Sequence, residues 1–488
     1  MPHRRTQERP TRAADLPASF WWLWFAVLVT WTGRFVVPFM TLFLTRDAGL
    51  STSEAGMIVS GYGGGVVLSA LAGGVLSDVI GRRRTLIGSL LLSAGTMLVI
   101  PSFPQPAAIA VLLFVFGLVN GAAQPAVAAL ITDLVPQAHR RAAFAYNFWA
   151  VNLGYAIGPL LAGFIADHAF SYLFYAQAGV LLVSASIVLA RVTDSHVPTG
   201  RRRRGADPPP APPGGLREVL RDRVFVTFVL AMLVYSVVYV QSTSSLPVAM
   251  VEDGFTSAEY GFLLTLNGVL LCALQIPSAR LVARWRREAV LAGALLFTAL
   301  GVGLQGFADS WILYATAVSI WTIGEMGAHP SAQSIAADMS TRQARGRYLG
   351  FYALAFSTAT MIGPLVGGTV IQRWGSGWLW GGCAVACVLL AGFLTLTARP
   401  RERRLAAGAG TPGASGVSGA PGTSGTSGTS GASGGALGAG EPPGAPPPQD
   451  PTAGEGPPTE PVSRPRGGDP EPPNDPAPPR DRVDRQGR

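Results

Sequence analysis

Long apolar stretches recur through the first 400 residues, and many of them are about 20 residues long. A helix of that length spans the ~30 Å hydrocarbon core of a bilayer at a rise of 1.5 Å per residue. Charged residues form only 13% of the chain, against roughly 25% in an ordinary soluble domain. Because a soluble core cannot enclose so many helices that are apolar on every side, the pattern predicts an all-α integral membrane protein.

The apolar segments form two sets of six predicted helices, separated by an Arg- and Pro-rich linker at 193–221. The first set, within 19–192, lies near 19–44, 53–79, 83–101, 107–134, 142–167 and 172–192. The second set, within 222–398, lies near 222–250, 258–281, 288–307, 310–338, 346–372 and 376–397. We therefore expect twelve transmembrane helices in two six-helix bundles.

The two ends of the chain lack the apolar residues that a membrane span needs. Residues 1–18 form a short polar N-terminus. Residues 399–488 consist largely of Gly, Ser, Thr, Ala and Pro, whose small apolar surface does not offset the entropy lost on folding. We expect this tail to be disordered and cytoplasmic.

The basic residues alternate from one side of the predicted helices to the other. The chain has no lysine, and 28 of its 37 arginines lie in the N-terminus, in five alternate loops and just after the last helix. Loops rich in arginine stay in the cytoplasm, so both termini are expected to be cytoplasmic in a bacterial plasma membrane. This distribution also explains the net charge of +9 without a nucleic-acid partner. The first helix lacks a cleavage site and is interpreted as an uncleaved span.

The two predicted bundles share a sequence repeat. Residues 120–163 align without gaps onto residues 325–368, at a constant offset of 205 positions. The alignment pairs Asp133 with Asp338, and it pairs Arg140 with Arg345. Duplicated six-helix halves are typical of transporters, whose substrate sites lie near the bilayer midplane between the halves.

A glycine- and arginine-rich loop, GVLSDVIGRRR, connects the second and third predicted helices at 74–84. Gly74 and Gly81 permit a tight turn and close helix approach. Asp78 stands at a helix end, where it can pair with an arginine or with the positive end of a neighbouring helix. The alternative is an ordinary positive-inside loop with an incidental aspartate.

This loop resembles the signature of the major facilitator superfamily, G-x-x-x-D-R/K-x-G-x-R/K-R/K, except that Val79 replaces the basic residue after the aspartate. The resemblance implies two pseudo-symmetric six-helix bundles and a cytoplasmic gate. In that gate Asp78 contacts the start of the eleventh helix, and Arg82 pairs with Asp133. The second-half loop has Ala283 at the position of the aspartate, so we expect an asymmetric gate. The gating motif comprises Gly74, Asp78, Gly81, Arg82, Arg83 and Asp133.

A second motif, GYAIGPLLAG at 154–163, lies on the fifth predicted helix and resembles the antiporter motif of the same superfamily. Its small residues allow close helix packing, and its proline frees a carbonyl group. The alternative is generic tight packing, since the eleventh helix carries a similar IGPLVGG run at 362–368. Gly117 stands where proton antiporters of the family carry an arginine. The motif residues are Gly154, Gly158, Pro159 and Gly163.

Ionisable residues inside predicted spans are the strongest functional candidates, because each is costly in a bilayer unless paired or hydrated. Arg34 lies in the first helix, and Glu325 lies in the tenth with His329 one turn later on the same face. The repeat maps Glu325 and His329 onto Asn120 and Gln124, so these four residues are expected to face one central cavity. We expect Glu325 to be the main proton or cation site, tuned by His329 and Arg34.

Two alternatives to this hypothesis are open from the sequence. Glu325 and Arg34 would serve only structure if they formed a fixed pair that holds helices together, or if either lay near a hydrated interface. Arg34 would instead take part in binding if it contacted an anionic substrate.

Other polar and aromatic residues are candidates for the substrate path. Tyr235 and Tyr239 are four residues apart, as in an aromatic cage for a cationic solute. Interhelical hydrogen bonding is the alternative for each of these residues. The path candidates are Asn120, Gln124, Tyr155, Tyr235, Tyr239 and Asn267, with Tyr62, Asn147, Asn152, Gln241 and Gln275 as further members.

These features favour a secondary active transporter that exports drugs or secondary metabolites by proton antiport. Proton-coupled uptake of a nutrient is the alternative, and a membrane sensor or anchored enzyme without transport is a more distant one. The sequence has no phosphate loop, metal-ligand cluster or nucleophile arrangement that would indicate an enzyme. The expected partners are a small-molecule substrate, protons and membrane lipid, with no cofactor or metal, and we expect a monomer driven by a proton gradient.

Overall fold

A computed structural model describes residues 15–193, 215–282, 284–340, 344–398 and 401. The N-terminal half consists of α1 Ala18–Thr32, α2 Val36–Arg46, α3 Thr52–Ile80, α4 Arg82–Val99, α5 Pro106–Gly121, α6 Ala123–Leu134, α7 Arg140–His168 and α8 Phe170–Arg191. The C-terminal half consists of α9 Gly215–Arg221, α10 Arg223–Ser244, α11 Leu246–Glu252, α12 Ser257–Val282, α13 Arg287–Gln305, α14 Trp311–Asp338, α15 Arg345–Trp374 and α16 Ser376–Leu396.

Most of the predicted spans meet the length and composition of a membrane helix. Within the described residues, eleven helical segments are long and apolar enough to cross a bilayer. The one predicted span that is not among these eleven is the tenth, α14, although its 28 residues make it long enough. It carries Glu325 and His329 in its middle, and such ionisable residues lower the mean hydropathy of a span.

Three predicted single spans are broken into two helices each. The first breaks between Thr32 and Val36, the fourth at Ala122 and the seventh at Ser245. At the first break, the Gln177 side chain accepts a hydrogen bond of 2.8 Å from the backbone N–H of Val36. This contact satisfies a backbone group that the break frees, as the interior of a membrane protein requires.

The duplication extends over the first five spans of each half. The starts of five helices in each half are 205 positions apart, so the offset found in the sequence holds from the first span to the fifth. The corresponding starts are Ala18 and Arg223, Thr52 and Ser257, Arg82 and Arg287, Pro106 and Trp311, and Arg140 and Arg345. Positions that differ by 205 therefore occupy equivalent places in the two halves.

The boundaries of the predicted linker and tail differ from the structure. Residues 215–221 of the predicted linker form α9, where Glu218 forms an ion pair of 3.4 Å with Arg347. Arg401, which the sequence assigned to the tail, is only 2% exposed and forms two hydrogen bonds of 2.9 and 2.7 Å with Glu288. Helix packing therefore continues past residue 399. The rest of the linker, residues 1–14 and residues 402–488 lie outside the described residues.

Candidate functional site

The helix bundle has two chemically different ends. At one end, α4 begins at Arg82 and α13 begins at Arg287. We call this the arginine-rich end. At the other end, α3 begins at Thr52 and α12 begins at Ser257, and we call this the arginine-poor end.

Equivalent ion pairs lie at the arginine-rich end of each half. Arg82 pairs with Asp133, and Arg287 pairs with Asp338. The Arg82–Asp133 pair implied by the family resemblance is therefore present, and the second half has the same contact. Arg83 donates a hydrogen bond of 2.6 Å to the carbonyl oxygen of Leu189.

The rest of the predicted gating motif is described in part. Gly81 has a φ of 100° and joins α3 to α4, which agrees with the tight turn expected from a glycine. Gly74 and Asp78 lie within α3, but the surroundings of Gly74 and the side chain of Asp78 lie outside what the structure describes. Ala283 also lies outside them, so the difference between Asp78 and Ala283 stays a sequence prediction.

Glycines bring the two halves together toward the arginine-poor end. A Cβ atom on Gly56 would overlap the carbonyl oxygen of Pro364, and a Cβ atom on Gly261 would overlap the carbonyl oxygen of Pro159. These two contacts are equivalent, since each residue differs from its counterpart by 205 positions. The close approach of α3 to α15 and of α7 to α12 therefore depends on glycine.

Hydrogen bonds between the halves reinforce this packing. The Asp167 carboxylate accepts hydrogen bonds of 3.0 and 3.2 Å from the backbone N–H groups of Ser257 and Ala258. In the equivalent place, the Gln372 side chain accepts one of 3.0 Å from the backbone N–H of Ser53. A carboxylate at a helix N-terminus is favourable, because the helix dipole is positive there. The arginine-poor end is thus closed by two related sets of contacts.

The predicted antiporter-like motif divides its contacts between the two halves. Cβ atoms on Gly154 and Gly158 would lie 2.6 Å from Cβ of Trp31 and 2.8 Å from the carbonyl oxygen of Thr32, within the same half. A Cβ atom on Gly163 would lie 2.8 Å from Cα of Ala258 in the other half. Together with Pro159, the motif therefore serves close packing on both sides of α7.

Glu325 is a buried carboxylate held by neutral donors. Its side chain is 7% exposed. One carboxylate oxygen accepts a hydrogen bond of 3.0 Å from the Tyr239 hydroxyl, and the other accepts one of 2.9 Å from the Asn267 amide. Asn267 also donates a hydrogen bond of 2.9 Å to the Thr322 hydroxyl, which fixes the amide orientation. In the part of the chain that the structure describes, no cation forms an ion pair with Glu325.

Aromatic rings surround His329 one turn away from this carboxylate. The His329 ring lies 5.0 Å from Tyr239 and 5.5 Å from Tyr235, both in edge-to-face arrangements. Phe356 lies 6.5 Å from His329 and 6.0 Å from Tyr239, and it extends the cluster from α15. The predicted pair Tyr235 and Tyr239 is therefore brought together with His329 and Glu325.

Arg34 lies in the break between α1 and α2, and its contacts are also neutral. Its guanidinium donates a hydrogen bond of 3.2 Å to the Tyr62 hydroxyl and lies 4.3 Å from the centre of the Trp31 ring. Among the described side chains, no carboxylate lies within 4.0 Å of it. The structure therefore does not contain the fixed Arg34–Glu325 ion pair that was the alternative.

The duplication relates the surroundings of Arg34 to those of Glu325. Positions 34, 62, 120 and 124 correspond to positions 239, 267, 325 and 329. Arg34 therefore takes the place of Tyr239, and Tyr62 takes the place of Asn267. Tyr155 lies in α7, and no described hydrogen bond joins it to Arg34 or Glu325.

The two remaining members of the predicted cavity lie in the N-terminal half. Gln124 and Asn147 line a small cavity of about 50 Å³ together with Thr30 and Ser184. Asn120 lies at the end of α5, and no described hydrogen bond joins it or Gln124 to Glu325. Gly117 packs so closely that a Cβ atom would overlap the carbonyl oxygen of Tyr62, which explains why no larger residue stands there.

Sequence reasoning missed several contributors to the site. Thr322 bonds to Asn267, Trp321 packs against Tyr239 and Phe356 packs against His329. Tyr260 joins the two halves. The signal for Thr322 was available, because it precedes Glu325 by three residues on one helix face. The positions of Phe356 and Tyr260 depend on packing between helices that are distant in sequence.

Comparison with known proteins identifies the family. The family described as Major Facilitator Superfamily matches residues 23–256 and 242–436. The chain belongs to the major facilitator superfamily. The predicted membership and the predicted all-α membrane fold are confirmed, and the chain is a multi-pass membrane transport protein rather than an enzyme.

Relatives within the superfamily are moderately similar over most of their length. The uncharacterized MFS-type transporter YttB of Bacillus subtilis is 26% identical, over 70% of this chain and 85% of the relative. The multidrug resistance protein MdtH of Aeromonas hydrophila is 24% identical, over 72% and 87%. A Na(+), Li(+), K(+)/H(+) antiporter of Planococcus maritimus is 24% identical, over 68% and 84%.

Solved structures support the superfamily fold. The POT family transporter PepTSo aligns with a TM-score of 0.67 and 15% identity, and the alignment covers 81% of this chain and 99% of that chain. At this identity the likeness concerns the fold alone.

Proposed function

We propose that this transporter exports small amphipathic molecules from the bacterial cytoplasm in exchange for protons. The observation that carries the proposal is the Glu325 carboxylate, which is buried in the tenth span and pairs with no cation among the described residues. Burial makes its charged form costly, while the donors Tyr239 and Asn267 stabilise that form. A carboxylate balanced in this way can take up a proton and release it during a transport cycle.

The neighbours of Glu325 suggest how proton binding and substrate binding are linked. His329 and the tyrosine rings form an apolar but polarisable wall next to the carboxylate, suited to an aromatic or cationic group. Arg34 and Tyr62, which contact each other, stand at the positions equivalent to Tyr239 and Asn267, and we propose that Arg34 tunes the site. We propose that the site alternates between two states. In one, Glu325 is protonated and no substrate is bound; in the other, Glu325 is deprotonated and substrate lies against these rings.

The contacts between the halves support alternating access. We propose that the arginine-rich end faces the cytoplasm, as the positive-inside rule indicates. The glycine contacts and the Asp167 hydrogen bonds then close the outer side, so this conformation is one that receives substrate from the cytoplasm. Rocking of the halves would separate these contacts and open the site outward.

The relatives support export and exchange. One is named a multidrug resistance protein, and another is named a cation/proton antiporter. The antiporter-like motif on α7 agrees with this direction.

Energised membrane vesicles test the direction. In inside-out vesicles whose lumen is acidified, we expect a fluorescent amphipathic probe to accumulate in the lumen and to dissipate the proton gradient as it enters. Vesicles without the protein are the control. If the probe accumulates only in right-side-out vesicles with an inward proton gradient, the protein is an importer and the proposal is wrong.

A further inference from the structure

The N-terminal half contains a cavity of about 50 Å³ that proton exchange at Glu325 does not use. It lies among α1, α4, α6, α7 and α8, and none of its lining residues carries a charge. Apolar side chains form most of its wall, and the polar side chains in it are Thr30, Gln124, Asn147 and Ser184. Since one water needs roughly 10–15 Å³, the cavity has space for about three or four non-hydrogen atoms.

The duplication explains why a cavity forms at this place. Several positions that line it correspond to the aromatic rings around His329 in the C-terminal half. The equivalent pairs are Thr30 and Tyr235, Gln124 and His329, and Val151 and Phe356. In the C-terminal half, the His329 ring lies 5.5 Å from Tyr235 and 6.5 Å from Phe356. The N-terminal half has smaller side chains at these positions, so the corresponding space is not filled by rings.

The two amides of the cavity differ from its two hydroxyl groups in their hydrogen bonding. The Thr30 hydroxyl donates a hydrogen bond of 2.8 Å to the Ser184 hydroxyl, which donates one of 3.0 Å to the carbonyl oxygen of Ala26. Within the described part of the chain, the side chains of Gln124 and Asn147 form no hydrogen bond. Each amide has two N–H donors and a carbonyl acceptor. Both amides can therefore bind a further group.

The cavity lies on the side of the arginine-rich end. Leu86 follows the start of α4 by four residues, and Asn147 follows the start of α7 by seven. These residues are thus about one to two helical turns from that end. Gln124 is exposed and Asn147 is half-buried, so both amides can be reached without unpacking the bundle.

We propose that this cavity is a binding subsite for a compact neutral group that both donates and accepts hydrogen bonds, with a primary carboxamide as the simplest example. Gln124 and Asn147 bind the group, and the rest of the transported molecule lies outside the cavity. This inference rests on the proposed function, in which the transported molecule enters from the arginine-rich end.

Charged and apolar groups fit this cavity less well. Because every lining residue is neutral, a charged group would lose its water without gaining a counter-ion. The Arg34 guanidinium, which lies 4.3 Å from the centre of the lining Trp31 ring, adds repulsion for a cation. An apolar group would fill the volume but leave the amides without hydrogen-bond partners. A carboxamide satisfies both the size and the hydrogen-bonding capacity of the cavity.

Three probes that share one fluorophore and differ only in their terminal group test the inference. They are 6-(dansylamino)hexanamide, 6-(dansylamino)hexanoic acid and the apolar isostere N-(6-methylheptyl)dansylamide. Binding of each to the purified full chain in detergent is followed by dansyl fluorescence. We expect the carboxamide to bind more tightly than the acid.

Substitutions of the two amides separate recognition from general affinity. Gln124→Leu and Asn147→Leu should each weaken binding of the carboxamide roughly 3- to 10-fold, the loss expected for one neutral hydrogen bond, and should leave the apolar isostere unchanged. The matched control is Gln137→Leu, which removes an exposed amide of the same half outside the cavity and should change neither affinity. A folding defect would weaken both probes equally.

Filling the cavity gives a second, independent test. Val151→Phe introduces the ring that stands at the equivalent position in the C-terminal half, so it should weaken the carboxamide and the isostere alike. The inference is overturned if Val151→Phe leaves carboxamide binding intact, since the probe would then bind elsewhere.

Other results would also overturn the inference. These are carboxamide binding that does not depend on Gln124 and Asn147, a stronger dependence of the acid on the same residues, or binding of none of the probes. Since the measurement needs no proton gradient, such results would leave proton-coupled export intact. Conversely, failure of proton coupling in vesicles would not alter the effects of the amide substitutions on binding.

Discussion

Glu325→Gln is expected to abolish transport that is driven by a proton gradient while exchange of substrate across the membrane continues. Glutamine keeps the size of the side chain and can still bond to Tyr239 and Asn267, but it cannot take up or release a proton. Reconstituted vesicles with an imposed proton gradient should therefore show no accumulation above protein-free vesicles. Counterflow between labelled and unlabelled substrate, measured without a gradient, should persist.

The control for this prediction is Glu252→Gln at the arginine-poor end. Burial, and next the neighbouring Asp253, raise the pKa of Glu252, so it too is a perturbed carboxyl group, but it lies outside the candidate spans. It should retain gradient-driven transport. If Glu325→Gln accumulates substrate as well as the unmodified protein, Glu325 is not the coupling residue. If it also loses counterflow, substrate binding rather than coupling has been damaged.

Gly56→Ala is expected to disrupt closure of the arginine-poor end. The added Cβ would overlap the carbonyl oxygen of Pro364, which belongs to the backbone of α15 and cannot turn away. Overpacking of this kind typically costs about 1–3 kcal/mol. Since the cost falls on the closed state alone, it should shift the conformational equilibrium by roughly 5- to 150-fold. The transport rate should fall because one half of the cycle becomes unfavourable.

A buried cysteine can report this change directly. Ser257 is 0% exposed at the closed interface, so Ser257→Cys, in a background without the three native cysteines, should react slowly with a water-soluble maleimide. Adding Gly56→Ala or the equivalent Gly261→Ala should accelerate labelling. Gly293→Ala is the matched control, because nothing lies within 4 Å of its Cβ position. Unchanged labelling in both interface variants would show that these glycines do not control closure.

Much of the fold could be predicted from the hydropathy and charge of individual segments. Apolar length and arginine distribution predicted the spans, because lipid and water impose different solvation on each segment. The breaks in the first, fourth and seventh spans were not predicted. At the first break, Gln177 replaces the lost helical partner of Val36, and this contact joins residues that are 141 positions apart.

The sequence indicated which charged residues lie inside the spans, but it did not indicate which residues they contact. Arg34 and Glu325 stood out because an ionisable group in lipid is expensive. Whether they contact each other depends on how two bundles pack, which hydropathy does not encode. The duplication contained more information than the segment at 120–163 revealed, since the same offset also relates Arg34 to Tyr239 and Tyr62 to Asn267. Arg34 therefore stands at the position equivalent to Tyr239, the residue whose hydroxyl donates to Glu325.

Proton release on ligand binding tests the central claim most directly. Purified protein in a weakly buffered detergent solution, with a pH indicator, should release protons when the cationic amphipathic probe dansylcadaverine binds, because its ammonium group displaces the proton of Glu325. Binding of 6-(dansylamino)hexanoic acid should release none, and neither should binding of any probe to Glu325→Gln. Binding of dansylcadaverine without proton release, or equal release from Glu325→Gln, would contradict exchange of proton and substrate at this carboxylate.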